Sequence, residues 1–169
     1  HWSSVAFALE TAWYDLQGQQ QNTTISSILH GKRSHRVTPY LSISVSDQRE
    51  LQERLRSETE DAKVIQLKLT NRSWVDDMRW IHQILDHHPS VELLLADANG
   101  KWSVDQACKI ISRCQDPRII WEEPCATYLE NAEVEQITHQ TVMADQCVGS
   151  MANAEQAVRE KAVSAITIK

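Results

Sequence analysis

The chain has 169 residues, 41% of them hydrophobic and 24% charged, with a formal net charge of −6. That length is enough for one domain with a real core. The acidic balance excludes the clustered basic face that a nucleic-acid partner needs, and no apolar run reaches the ~18 residues of a membrane span.

Residues 1–36 read as helices that precede the main fold. Val5, Leu9, Ala12, Trp13 and Leu16 form an apolar stripe at helical spacing that ends at Gly18, and a second short helix over 24–29 ends at His30-Gly31. From Val37 onward, β-like runs alternate with amphipathic ones. The β-like runs are 37–45, 64–69, 91–96, 119–121, 141–144 and 165–168, rich in branched apolar residues as strands buried on both faces should be. Between them, Trp74, Met78, Ile81 and Leu85 recur at helical intervals, as do Val104, Ala107, Cys108 and Ile111. A further helix over 151–161 carries Ala154, Ala157 and Val158. Ser103, Asn131 and Ser150 are candidate helix starts, Pro89 and Pro117 fall between elements, and His87-His88 reads as an exposed helix end.

A β-α unit repeated about every 25 residues implies parallel strands with helices outside. Six units in succession favour a barrel over an open sheet, whereas a complete (β/α)₈ barrel needs eight and typically ~250 residues. The expected fold is therefore α/β: a partial (β/α)₈ TIM-type barrel over 37–169, preceded by the separate helices of 1–36.

Four cysteines, Cys108, Cys114, Cys125 and Cys147, form no Cys-x-x-Cys pair and no zinc-spaced cluster with histidine. They read as reduced thiols of a cytoplasmic protein, and no signal peptide is seen.

Barrel and open α/β folds carry function at the carboxyl ends of their strands. There the sequence places Lys68, then Asp97, then Glu122 beside Glu123, then Asp145, then Lys169. The acids are 25 and 23 residues apart and Lys169 follows after 24, one residue per β-α unit and so all on one rim. A single acid after a strand is usually a turn residue or helix cap. Three in register, with lysines at both flanks, point to chemistry. Three converging carboxylates repel one another, and a hard divalent cation resolves the conflict, Mg²⁺ or Mn²⁺ rather than zinc for oxygen-only ligands. Pro124 fixes the turn that aims the acidic pair.

These residues resemble the enolase superfamily, and within it the muconate lactonizing enzyme and mandelate racemase-like proteins. Residues 8–18 (ALETAWYDLQG) look like the helix that leads from that family's capping domain into its barrel. Asp97-Ala98-Asn99, Glu122-Glu123-Pro124 and Ala144-Asp145 look like its three metal-ligand motifs. The resemblance implies Mg²⁺ held by Asp97, Glu122 and Asp145, and a small carboxylate substrate whose α-proton is removed to give an enediolate. It implies bases at Lys68 and Lys169, one for each face of the substrate. Gln66, Asn99, Glu123, Cys125 and Gln146 would surround them. Proton return from the opposite face gives epimerisation or racemisation, and a β leaving group gives dehydration. Gln66-Leu67-Lys68 and Glu123-Pro124-Cys125 are similar to the branch acting on proline derivatives, the hydroxyproline-betaine epimerases and cis-3-hydroxyproline dehydratases. A generic amino-acid or dipeptide epimerase or a muconate-type cycloisomerase stays open.

Three residues depart from the family pattern, one of them Lys63, where a glycine-containing approach to strand two is expected. Gln66 stands where the first lysine of Lys-x-Lys is expected, and Gln146 where a glutamate usually follows the third ligand. A six-unit barrel is also expected to leave strand edges open, to be covered by self-association or by a completing segment. That keeps a second class of reading in view: an inactive truncated barrel or assembly module that retains the site residues.

Overall fold

The computed structural model describes residues 2–31, 38–58 and 62–167. The chain divides into two compact units, one up to residue 37 and one from Thr38 onward. The first holds α1 (Trp2–Gln20) and α2 (Ile25–Ile28). Thr24 caps α2, its side chain accepting from Ser27 N. The turn between the helices folds back on Gly18: Thr23 N donates to Gly18 O at 2.9 Å. A Cβ at Gly18 would lie 3.0 Å from Thr23 O, so any larger residue would press on this turn.

The second unit runs β1 (Leu41–Ile43), α3 (Gln48–Glu58), β2 (Val64–Lys68), α4 (Trp74–His87), β3 (Leu93–Asp97), α5 (Val104–Ile111), β4 (Ile119–Glu122), α6 (Tyr128–Thr138), β5 (Val142–Ala144), α7 (Met151–Glu160) and β6 (Ala165–Ile166). Its six strands form one sheet in the order β1-β2-β3-β4-β5-β6, and every pair is parallel. Spatial order never departs from chain order. Crossovers of one hand then stack every helix on the same face, as in a barrel and unlike a doubly wound sheet, whose order reverses.

The core lies between strands and helices. Ile65, Leu67, Leu94, Ala96, Trp121, Val142 and Ala144 alternate along β2 to β5 and are completely buried. They meet Leu51, Ile81, Ile84, Ala107, Ile111 and Val134 from the helices. Each large apolar side chain in this layer contributes about 1.5–3 kcal/mol. Helix starts are set by side chains: Ser73, Ser103, Thr127 and Ser150 each accept from the backbone N–H three residues on, and Ser103/Gln106 and Thr127/Glu130 complete capping boxes.

Three local expectations change. α3 is a full helix that the apolar pattern did not single out. Its segment is strongly charged, with Leu51 and Leu55, four apart, as its buried contacts. Asn131 does not begin α6. It is fully buried within the helix, where its amide accepts from Cys125 N and donates to Cys125 O and Thr127 O, and the Thr127 capping box makes the start instead. β1 and β6 are shorter than the β-like runs, because ladder pairing covers only 41–43 and 165–166 among the described residues. α4 ends at His87 with His88 as its cap. No helix among the described residues is long and apolar enough to cross a membrane.

Candidate active site

Strand register brings the candidate residues level. Lys68 pairs with Asp97 and Asp97 with Glu122, while Glu122 pairs with Met143, two residues before Asp145. Because side chains alternate across a sheet, Asp145 continues on the face of Met143. Asp97 and Glu122 are each 3% exposed and Asp145 9%.

The contacts are specific. Lys68 Nζ meets Asp97 Oδ2 at 2.8 Å, and Asn99 N donates to Asp97 Oδ1 at 2.9 Å. Gln66 Nε2 donates to Glu122 Oε2 at 2.7 Å, while Ser42 Oγ donates to Gln66 Oε1 at 2.8 Å, so β1, β2 and β4 are joined across the site. Burial pushes the Glu122 carboxyl above its ordinary range, Gln66 opposes this, and the charges of Asp97 and Asp145 push it further.

Glu123 is also 3% exposed, but its carboxylate serves the backbone. Its carboxylate accepts Gln146 N at 2.8 Å and Cys147 N at 2.6 Å, which ties the strand-four turn to the loop carrying Asp145. The turn is bent into the left-handed region at Glu123 (φ 44°), as is the facing turn at Asn99 (φ 52°) and Gly100 (φ 66°). A Cβ at Gly100 would lie 3.2 Å from Ala126 Cα, so the two turns are in contact there. Gln146 Nε2 reaches Asn99 Oδ1 at 3.4 Å.

Two further candidates are Cys125 and Lys169. Cys125 is fully buried among the core side chains, and burial pushes its thiol up to about 12, with Glu130, Cys108 and Glu133 adding to the effect. Lys169 lies outside the described residues.

One group carried no sequence signal. Asp77, 1% exposed, sits in the first turn of α4, where an acid reads as an ordinary dipole partner. Its carboxylate instead accepts Thr70 N at 2.8 Å, Thr70 Oγ1 at 2.9 Å and Asn71 N at 3.1 Å. Asn71 (φ 58°) donates from Nδ2 to Leu69 O and Ala98 O, so the loop after Lys68 is fastened to the loop after Asp97.

Three buried carboxylates with excess negative charge fit a hard divalent cation in donor chemistry. Among the described residues no three His, Cys, Asp or Glu side chains already converge on one metal-binding point. The acceptor atoms are engaged locally instead, by Lys68 on Asp97 and by Gln66 on Glu122.

The sequence profile of the enolase C-terminal domain-like family matches residues 48–169. The chain belongs to that family. Over 162 residues it is 24% identical to the cis-3-hydroxy-L-proline dehydratase of Roseibium aggregatum, covering 95% of this chain and 44% of the relative. A muconate lactonizing enzyme superposes with a TM-score of 0.78 at 22% identity, over 95% of this chain and 46% of that one. A mandelate racemase/muconate lactonizing enzyme-type protein from Roseovarius nubinhibens ISM, complexed with magnesium, gives 0.76 at 19% identity, over 92% and 43%. The chain thus spans a little under half the length of these relatives. Its five β-α units and sixth strand are part of an enolase-type TIM barrel.

Proposed function

We propose that this enolase-type barrel portion removes the α-proton of a small carboxylate substrate, giving an enediolate that leads to epimerisation, racemisation or dehydration. The observation that carries the reading is the level row Lys68–Asp97–Glu122 with Asp145 beside it: one ammonium and three buried acids at successive strand ends. Asp97, Glu122 and Asp145 would hold Mg²⁺, or Mn²⁺. A cation there supplies Lewis acidity toward the substrate carboxylate, without which an α-proton is too weakly acidic to remove.

Lys68 is the base on one face. Its side chain is 40% accessible and its nitrogen is held at Asp97, which fixes where a proton is taken up. Lys169 is assigned the opposite face from the family resemblance. Glu123 and Asp77 do not touch substrate: they fasten the loops that carry Asp145 and Lys68. The likeness to a cis-3-hydroxy-L-proline dehydratase supports an amino-acid substrate of proline type, and the likeness to a muconate lactonizing enzyme keeps cycloisomerisation as an alternative outcome.

A second reading, a barrel module that keeps the site without turnover, draws on one observation. Lys68 and Gln66 already engage Asp97 and Glu122, so the site can hold together without a cation. Two measurements decide between the readings. Calorimetric titration with Mg²⁺ should show binding that Asp97→Asn removes, and binding unaltered by that change refutes the metal assignment. Exchange of a substrate α-proton into deuterated water should vanish in Lys68→Ala, and exchange that persists removes Lys68 as base.

A further inference from the structure

We propose that the groove between the β1–α3 and β2–α4 loops is a subsite for an acidic arm of the substrate, anchored by Arg72. This rests on the α-proton reading insofar as Lys68 marks where the α-carbon lies, and it adds the substrate class: a carboxylic acid that carries a second anionic group.

The groove is a cavity of ≈ 380 Å³ lined by Ser44, Ser46, Glu50, Lys68, Thr70 and Arg72, among others. The proposed base Lys68 is part of its lining, whereas Asp97, Glu122 and Asp145 are not. Its charges are not equivalent. Lys68 is held by Asp97. Glu50 faces its own loop, its Oε2 accepting Ser46 N at 2.8 Å and Ser46 Oγ at 3.0 Å. Arg72 is exposed, its backbone N–H bonded to Thr70 Oγ1 at 3.3 Å, and among the described residues no carboxylate pairs with its guanidinium. One cation without a partner, beside a buried acid-rich centre that repels a second carboxylate, is the place an acidic arm would go.

The wall that carries Arg72 is built rather than loose. Thr70 and Asn71 are fastened by the buried Asp77, and Asn71, in the left-handed region, bonds both Leu69 O and Ala98 O. The backbone from Lys68 to Arg72 is thereby set before any ligand arrives, so binding has to order the Arg72 side chain but not the loop that carries it. A guanidinium is also suited to grip a carboxylate by two parallel bonds. A cationic, quaternary-nitrogen arm would be repelled here, so within the proline-type reading the groove disfavours betaines.

The test uses straight-chain dicarboxylates (succinate, glutarate and adipate) against the matched monocarboxylates butyrate, valerate and hexanoate, titrated calorimetrically into the protein with and without Mg²⁺. One dicarboxylate length should bind about tenfold more tightly than its monocarboxylate partner, the scale of a single charge-assisted bond. That preference should disappear in Arg72→Gln and largely return in Arg72→Lys, with monocarboxylate binding unchanged in both. Equal affinity for the two series, no binding of either, or a preference that survives Arg72→Gln overturns the subsite. The two readings separate on Mg²⁺: monocarboxylate binding that Mg²⁺ does not strengthen removes the metal assignment, while an Arg72-dependent preference seen with and without Mg²⁺ leaves the anion subsite standing.

Discussion

The two ends of the same strands handle charge in opposite ways. At the amino ends, cations and acids pair locally: Lys63 with Glu92, and Arg118 with Asp116 two residues away, with the Arg118 Nη1 also on Leu85 O. At the carboxyl ends, Asp97, Glu122, Glu123 and Asp145 are buried close together while Lys68 is the ammonium bonded among them. The backbone differs in kind: the left-handed residues leading into the amino ends, His139 and Lys161, are helix caps, whereas Asn71, Asn99, Gly100 and Glu123 take that conformation in the turns at the carboxyl ends. Buried like charge and unusual dihedrals cost stability and are kept where a site needs them. The amino ends serve the fold, and the carboxyl ends are shaped for something beyond it.

The largest effect should come from cutting the fastenings of the carboxyl-end loops. Glu123→Ala strands two backbone donors, Gln146 N and Cys147 N. Asp77→Ala strands Thr70 N and Asn71 N. These bonds are part-buried, so each donor left without its acceptor costs at most about 1–3 kcal/mol, and both variants should show lowered urea midpoints. Lys63→Ala, on the exposed pair at the other end, should leave the midpoint unmoved. A Lys63→Ala loss comparable to that of Glu123→Ala would erase the contrast between the ends.

Much of this contrast was legible in the sequence, and the rest was not for identifiable reasons. The parallel order, the helix layer and the level acids follow from a period of one functional residue per β-α unit, because register in a parallel sheet converts even spacing into spatial alignment. Helices with Ser caps were likewise readable at Ser103 and Ser150. The roles of Glu123, Asn131 and Asp77 were hidden, since each bonds backbone several residues or a whole β-α unit away, and nothing in the local pattern separates such an acid or amide from a turn residue. The complete burial of Cys125 was hidden because adjacency to Glu122-Glu123-Pro124 in sequence says nothing about which face a residue takes after a sharp turn. α3 escaped notice because Leu51 and Leu55 are too few to make a stripe among charges.

A smaller effect, of opposite sign, should come from the site itself. Glu122 is pushed toward its neutral form by burial first and by Asp97 and Asp145 next. Glu122→Gln removes that burden while keeping an oxygen that Gln66 can donate to. Without divalent cations the variant should unfold at a urea midpoint equal to or above that of the parent, by up to about 1 kcal/mol. The same variant should lose Mg²⁺ affinity. A clear destabilisation would mean that the acid serves the fold, as the amino-end charges do.

The smallest effect concerns pH at the amino end. The Arg118 guanidinium beside Asp116 holds its carboxyl below the ordinary aspartate range, chiefly through their direct bonds. Both side chains are about one-third exposed or less (33% and 26%), so solvent screens part of the pair. A depressed folded-state value means that the native state binds the proton less readily than the unfolded chain. The stabilisation is therefore complete above the ordinary aspartate range and is lost as pH falls through the folded-state value. Comparing urea midpoints of the parent and Asp116→Asn should show a gap of at most about 1 kcal/mol at neutral pH that closes on acidification. A gap that stays constant across that range would show that Asp116 acts through its Arg118 N–H bond and the turn it shapes, not through charge.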